Sequence, residues 1–279
     1  MTMLASIPAP PITELHLGPL RVTLFGIVVA LALLAGTTVT RRRYQAAGGD
    51  PELVDRILLP AILLGFVGAR AGYVLTHTGR FSGRWLDVLA VWHGGLVLFG
   101  GLTVGTLTAL WLIRRHRADL GAFAGAAAIG IPLAQALGRP ADYFSQELFG
   151  TPSTLPWAVE IPERLRPAAY VDAATFHPAF LYEALWSLAT VGVLLMLERR
   201  GILGRGRLLF GYFVAYGTGR FVLELIRTDT TFRLLGISRN GWIAAALLIG
   251  GTVALLTTRT RHLTPTPEPT TPLVGADRR

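Results

Sequence analysis

Apolar stretches near the ~20 residues that cross a bilayer as a helix recur seven times along the chain. The clearest cover residues 20–40, 58–76, 96–113, 181–197 and 242–258. Two more, 120–137 and 208–226, are interrupted by small or charged residues. Backbone facing lipid must satisfy its hydrogen bonds within its own segment, so these stretches are read as helices. Tufts of arginine punctuate them: Arg41-Arg42-Arg43, Arg114-Arg115-His116-Arg117, Glu198-Arg199-Arg200 and Arg259-Thr260-Arg261 follow spans one, three, five and seven. Alternating spans put all four tufts on one side, and the positive-inside rule makes that side the cytoplasm. The expected fold class is an all-α integral membrane protein with seven transmembrane helices, N-terminus outside and C-terminus cytoplasmic.

The same alternation divides the chain. Residues 1–19 form an external segment, and 20–258 a seven-helix membrane domain with an external loop at 138–180. The proline-rich 259–279 are a cytoplasmic tail too polar to build a core, and so disordered. The loop holds Pro152, Pro156, Pro162 and Pro167, and its length marks it as functional or partly structured. The N-terminus has no basic region and carries Glu14 before the first apolar run, which is not the pattern of a cleaved signal peptide.

Composition agrees with a membrane protein. The 279 residues are 52% apolar and 15% charged, where a soluble domain carries about a quarter charged residues. The formal charge is +9 and every basic residue is arginine. That charge is spread in tufts between apolar runs, so it reads as topology and not as a nucleic-acid surface. There is no cysteine, which removes disulfides, zinc–thiolate sites and a resident thiol nucleophile. The histidines are scattered without metal-ligand spacing, and nothing in the sequence calls for a metal or a cofactor.

The candidate chemistry lies in charges at membrane depth, which are costly and normally face a cavity or a partner. Arg70, Glu183, Arg220 and Glu224 are of this kind. Arg220 and Glu224 share a helix face at i, i+4, extended by Tyr216 and Arg227. An internal salt bridge that only locks helices together is the plainer alternative. Arg70 lies among Gly65, Gly68 and Gly72, which allow close helix approach, and an arginine near a helix end can also snorkel to the interface. In GRPADYFSQELFG (138–150), Arg139, Asp142 and Glu147 crowd a span's end, where Pro140 is expected to break the helix and turn Arg139 inward. WHGGLVLFGG (92–101) offers Gly100 and Gly101 for approach by lipid or another helix. HPAFLYEALW (177–186) places His177 at a helix start, with Tyr182 and Glu183 about a turn later. Bidentate arginines suit phosphate, so an anionic phospholipid headgroup fits such a cavity; a proton or ion pathway would fit as well.

GRPADYFSQELFG, LPWAVEI, HPAFLYE, GYFVAYGTGRFVLELIRTD and RNGW, in this order, resemble the prolipoprotein diacylglyceryl transferases, from Leu17-Gly18-Pro19 through span seven. The resemblance implies a seven-helix enzyme of the bacterial inner membrane. It would transfer diacylglyceryl from phosphatidylglycerol to the lipobox cysteine of preprolipoprotein signal peptides, with membrane lipid as its medium. It also implies Arg139, Arg220, Glu147 and Glu224 as catalytic residues. Arg139 and Arg220 would hold the phosphate, with Tyr216, Asp142, Gly100, Gly101, His177 and Arg70 completing the substrate site. Three positions depart from the family pattern. Phe99 stands where many members carry a histidine, with His93 nearby but on another helix face. Phe25 replaces a tyrosine and Asp142 an asparagine. The retained arginines and glutamates favour a working transferase. The three replacements favour a divergent, non-catalytic homologue that binds phospholipid or signal peptides, or an enzyme acting on another lipid.

Overall fold

The computed structural model describes residues 6–18, 20–90, 94–224, 227 and 233–258. His93, the tuft Arg259-Thr260-Arg261 and the tail 259–279 lie outside the described residues. Seven long helices carry the fold: α1 (Leu24–Ala46), α2 (Pro51–Thr76), α3 (Leu98–Arg115), α4 (Leu120–Gly138), α6 (Ala179–Arg199), α7 (Leu208–Leu223) and α8 (Arg239–Thr257). A one-turn α5 (Ala141–Ser145) follows α4. Several starts are fixed by side chains that accept a backbone N–H left unpaired in the first turn. Thr23 caps α1 and Asp50 caps α2, where Pro51 follows; Asp119 caps α4 and Ser238 caps α8.

Three two-stranded antiparallel hairpins join the helices: β1 (Glu14–Leu17) with β2 (Leu20–Thr23), β3 (Val159–Glu160) with β4 (Thr175–Phe176), and β5 (Arg233–Leu234) with β6 (Ile237–Ser238). The first corrects the expected start of span one. Residues 20–23 pair with 14–17 across Gly18, whose φ of 62° suits glycine. The helix begins only at Leu24, and it continues through Arg41–Arg43 to Ala46.

Among the described residues, five helical segments are long and apolar enough to cross a membrane: Leu24–Ala46, Pro51–Thr76, Leu120–Ser145, Ala179–Arg199 and Arg239–Thr257. The expected third and sixth spans are not among them. α3 has 18 residues and ends on Arg114 and Arg115, and α7 has 16. Each packs along a spanning helix, α3 on α2 and α7 on α8. α4 lies at the centre, against α1, α6 and α7, with 44% of its apolar window buried against 17% for α1 and α8. Outward from it, Leu31, Leu34, Leu63, Val67, Leu107, Trp111, Leu188 and Leu256 are exposed, as lipid-facing positions are.

Close helix contacts come from small residues. A Cβ on Gly130 would lie 2.0 Å from Thr40 Oγ1, and one on Gly36 2.7 Å from Gly130 O, which fixes the crossing of α1 and α4. Small residues let backbones approach where lipid provides no hydrophobic drive.

The helices give the molecule two ends. At one end the tufts at 41–43, 114–117 and 198–200 gather. Arg43 pairs with Glu198 across α1 and α6, and Tyr44, Val54, Ile57, Leu112, Ile113 and Phe123 form a core among the adjoining ends of α1 to α4. At the other end, the loop after α5 has its own apolar core of Phe149, Val159, Ile161, Phe176 and Phe180. Ile7 seals it by pairing with Val159, with Ile7 N donating to Ala158 O and Glu160 N to Ile7 O. This small structured cap stands over the charged residues.

Candidate active site

The charges noted in the spans converge on one carboxylate. Glu183, in the second turn of α6 and 7% exposed, accepts Arg139 Nη2 at 2.7 Å through Oε2. Its Oε1 accepts Arg220 Nη1 and Arg227 Nη1, each at 2.8 Å. Arg139 also reaches Asp142 Oδ2 at 3.2 Å. Arg220 Nη2 lies 3.1 Å from Glu224 Oε2 one turn on; that oxygen is buried and misaligned for a hydrogen bond, so the contact is an ion pair only. Glu224 Oε1 accepts instead from Ser238 Oγ at the head of α8. Among the described residues, three guanidiniums therefore meet three carboxylates.

Local geometry explains how Arg139 enters it. Arg139 caps α4 in helical conformation and Pro140 opens α5 directly, also helical. The helix is interrupted at Arg139 and Pro140, as expected, but both keep helical backbone angles, so α5 continues directly from α4 and Leu120–Ser145 forms one apolar stretch. Arg139 is directed by its partners, not by exposed backbone. The real irregularity comes just afterwards. Gln146 and Leu148 both adopt left-handed conformations, φ 55°, which cost energy outside glycine and persist where surroundings fix them. Gln146 Nε2 is anchored on Glu160 O. Glu147 sits exposed between these two residues, and among the described residues its side chain makes no ion pair. The cap couples back to the cluster where Gly150 bridges Arg227 and Gly150 N donates to His177 O.

A small pocket opens on the cluster, lined by Gln135, Arg139, Glu183, Trp186, Tyr216 and Arg220 among others. Tyr212 OH donates to Gln135 Oε1 at 3.1 Å just behind it. Trp186, Gly219 and Leu223 also line an apolar groove of about 660 Å³ along α6 and α7, with Tyr182, Leu185 and Val222. Gly219 is required here: a Cβ would lie 2.1 Å from Trp186 Nε1, which donates to Ala215 O.

Of the residues singled out in the sequence, Arg139, Arg220, Glu224 and Asp142 join the cluster, and Tyr216 lines its pocket. Others are placed elsewhere. Arg70 is buried, but it donates to the carbonyls of Asp87, Val88, Ala90, Gly94 and Gly95 at 2.6–3.3 Å and lies against the rings of Tyr73 and Phe81. It does not snorkel to an interface; it ties down the loop before α3. Gly100 and Gly101 serve the α2–α3 contact, where added Cβ atoms would lie 2.3 Å from Gly68 O and 3.1 Å from Gly65 O. His177 Nδ1 lies 3.1 Å from Tyr182 OH, which accepts from Trp157 Nε1. Glu183 and Arg227 were visible as charges near membrane depth, yet nothing local marked Glu183 as the hub. Among the described residues no three His, Asp or Glu side chains are grouped to hold a metal.

Comparison with known proteins now bears on this geometry. Residues 12–257 match the family model described as prolipoprotein diacylglyceryl transferase. The chain belongs to the prolipoprotein diacylglyceryl transferase family. A phosphatidylglycerol–prolipoprotein diacylglyceryl transferase of Frankia alni is 42% identical over 260 residues, covering 91% of this chain and 68% of that protein. The second such transferase of Streptomyces coelicolor is 38% identical over 262 residues, covering 93% and 83%. That of Cutibacterium acnes is 37% identical over 261 residues, covering 92% and 88%. With its apolar helices, this transferase is a multi-pass membrane protein. The structure also places the three residues singled out by the resemblance as departures. Asp142 is the ion partner of Arg139, and Phe99 lies in the first turn of α3. Phe25, in the first turn of α1, lines a groove with Thr13, Phe144 and Gln146.

Proposed function

We propose that the protein transfers the diacylglyceryl group of phosphatidylglycerol to the lipobox cysteine of preprolipoproteins, the first step of bacterial lipoprotein maturation. The observation that carries this reading is the convergence of Arg139 and Arg220, from α4 and α7, on the single carboxylate Glu183. Two guanidiniums held a few ångströms apart by an anion form a cradle that a phosphate can enter, and arginine's planar fork suits phosphate oxygens. In the reaction the cysteine thiol loses its proton and its sulfur attacks the glycerol carbon esterified to the phosphate. The sulfur–carbon bond forms as the carbon–oxygen bond breaks, and glycerol phosphate leaves with the bonding pair. Arg139 and Arg220 stabilise the charge growing on that leaving phosphate. Glu224 and Asp142 hold the two arginines from the sides, and Glu183 yields its place to the phosphate. Glu147, exposed at the cap, is placed to meet headgroup hydroxyls. The chain has no cysteine, in keeping with a sulfur supplied by the substrate.

The groove beside Trp186 takes acyl chains while the headgroup occupies the charged pocket. Seven membrane crossings follow if α3 and α7 span together with the helices they pack on. The tuft-bearing end then faces the cytoplasm, and the capped, charged end faces outward in the inner membrane, where signal peptides emerge. Residues 1–19 lie outside, 20–258 form the catalytic body with its external loop at 138–180, and 259–279 extend into the cytoplasm. The test is complementation: in a bacterium depleted of its own transferase, this chain should restore the thioether-linked diacylglyceryl on a reporter lipoprotein. An inserted, stable chain that restores none would overturn the reading in favour of a phospholipid-binding homologue.

A further inference from the structure

We propose that Arg239, seated on the ring of Phe99, is a further substrate-positioning residue that binds the anionic headgroup phosphate. The inference rests on the transferase reading above and adds a residue to it. Arg239 opens α8, is exposed, and its guanidinium carbon lies 5.3 Å from the Phe99 ring centroid. Among the described residues it makes no ion pair.

Three considerations point to an anion. The first is charge balance. Arg139, Arg220 and Arg227 are already opposed by Asp142, Glu183 and Glu224, so the described groups of the cluster offer an incoming phosphate no excess positive charge. Among the described residues, Arg239 brings a cation with no carboxylate paired to it. The second is placement. Its neighbour Ser238 donates to Glu224, which pairs with Arg220, so Arg239 stands one residue from the network that holds the phosphate cradle. The third is helix electrostatics. A cation in the first turn opposes the helix dipole, so Arg239 is badly placed to stabilise α8 and well placed to add to the positive potential at its head. Stacking on Phe99 covers a face of the guanidinium and leaves its N–H edge for bidentate contact with an oxyanion.

The test is steady-state transfer in mixed micelles containing phosphatidylglycerol, with a lipobox peptide as acceptor. Arg239→Gln is expected to raise KM for phosphatidylglycerol about five- to twentyfold with kcat within twofold, since only ground-state binding is lost. Arg239→Lys should recover part of that loss, and Phe99→Leu, which removes the stack but not the charge, should raise KM by less. Arg84→Gln, at another exposed arginine, serves as the control for general surface charge. An unchanged KM in Arg239→Gln overturns the proposal. So does an equal rise in Arg84→Gln, or a loss confined to kcat with the acid limb of the pH profile moved upward, which would assign Arg239 to the thiol instead. Equilibrium binding of short-chain phosphatidylglycerol is measured in parallel. If the wild-type chain binds this lipid without transferring it, the transferase reading fails, while weaker binding by Arg239→Gln still supports the headgroup contact.

Discussion

Arg70 and Arg220 are both arginines set into long apolar helices, α2 and α7, and the protein neutralises them in opposite ways. Arg220 is held by the carboxylates Glu183 and Glu224. Arg70 is held by five backbone carbonyls and two aromatic rings. Carbonyls belong to the chain and cannot leave without unfolding the loop that carries them. A carboxylate is an anion on a rotatable side chain, and a phosphate can replace it. The first arrangement builds a rigid wall and the second a site whose counter-ion can be exchanged. Burial of an arginine thus says little about function until its acceptors are known.

The sharpest way to break this comparison is to truncate each arginine. Arg139→Ala and Arg220→Ala should each lower transfer at least about a hundredfold, since removing one preorganised donor to a developing oxyanion costs roughly 2.7–4 kcal/mol of transition-state stabilisation. Protein level and membrane insertion should stay near normal, because the remaining arginines still neutralise Glu183. Near-normal initial rates in both variants would remove the phosphate cradle from the mechanism.

Arg70→Ala should fail differently. Hydrogen bonds to a charged donor contribute about 1.5–3 kcal/mol each, and losing several should free residues 87–95 and lower stability by several kcal/mol. The measurement is thermal unfolding in detergent beside specific activity of the surviving folded fraction. Low yield with near-normal specific activity is expected. A stable variant that no longer turns over would return Arg70 to the substrate site. Arg70→Lys should rescue little, because one ammonium cannot span the carbonyls that a planar guanidinium reaches together.

Glu183→Gln tests the exchange itself. The amide still accepts a hydrogen bond but no longer offers a negative charge, so phosphate should enter more easily while the arginines are less well placed. The expected result is a kcat reduced about tenfold with KM for phosphatidylglycerol unchanged or lower. A raised KM with intact kcat would mean that Glu183 contacts lipid directly and does not hold a place for it.

Much of this was legible in the sequence, and the limits have physical causes. The helices were legible because apolar runs and arginine tufts are local signals, and Glu183, Arg220 and Glu224 stood out as charges where lipid should be. The convergence was not. Arg220 meets Glu183 across 37 residues, and helical periodicity assigns a face without saying which helix it meets. Gly100 and Gly101 were only half legible for the same reason. Paired glycines announce a close approach by lipid or a helix, and the fold shows that Gly65 and Gly68 of α2 make one. The α1 boundary slipped because Leu20 and Val22 of β2 run straight into the apolar start of the helix, and only pairing with β1 separates them.

Asp142 gives the smallest and most discriminating prediction. By charge alone an aspartate beside a phosphate site should weaken anion binding. The structure shows that it is not a free charge: it is 6% exposed and spans one helical turn to Arg139. Two effects therefore oppose each other in Asp142→Asn. Removing the negative charge strengthens the local attraction for phosphate, whereas loosening Arg139 costs some of its preorganisation. Asn keeps the shape and an acceptor oxygen for the guanidinium, and Glu183 holds Arg139 at the shorter distance, 2.7 against 3.2 Å. The charge effect should prevail, leaving kcat/KM for phosphatidylglycerol equal to or up to about threefold above wild type, with Asp142→Ala lower than Asp142→Asn. A tenfold loss in the Asn variant would show that Asp142, and not Glu183, sets the position of Arg139 during transfer.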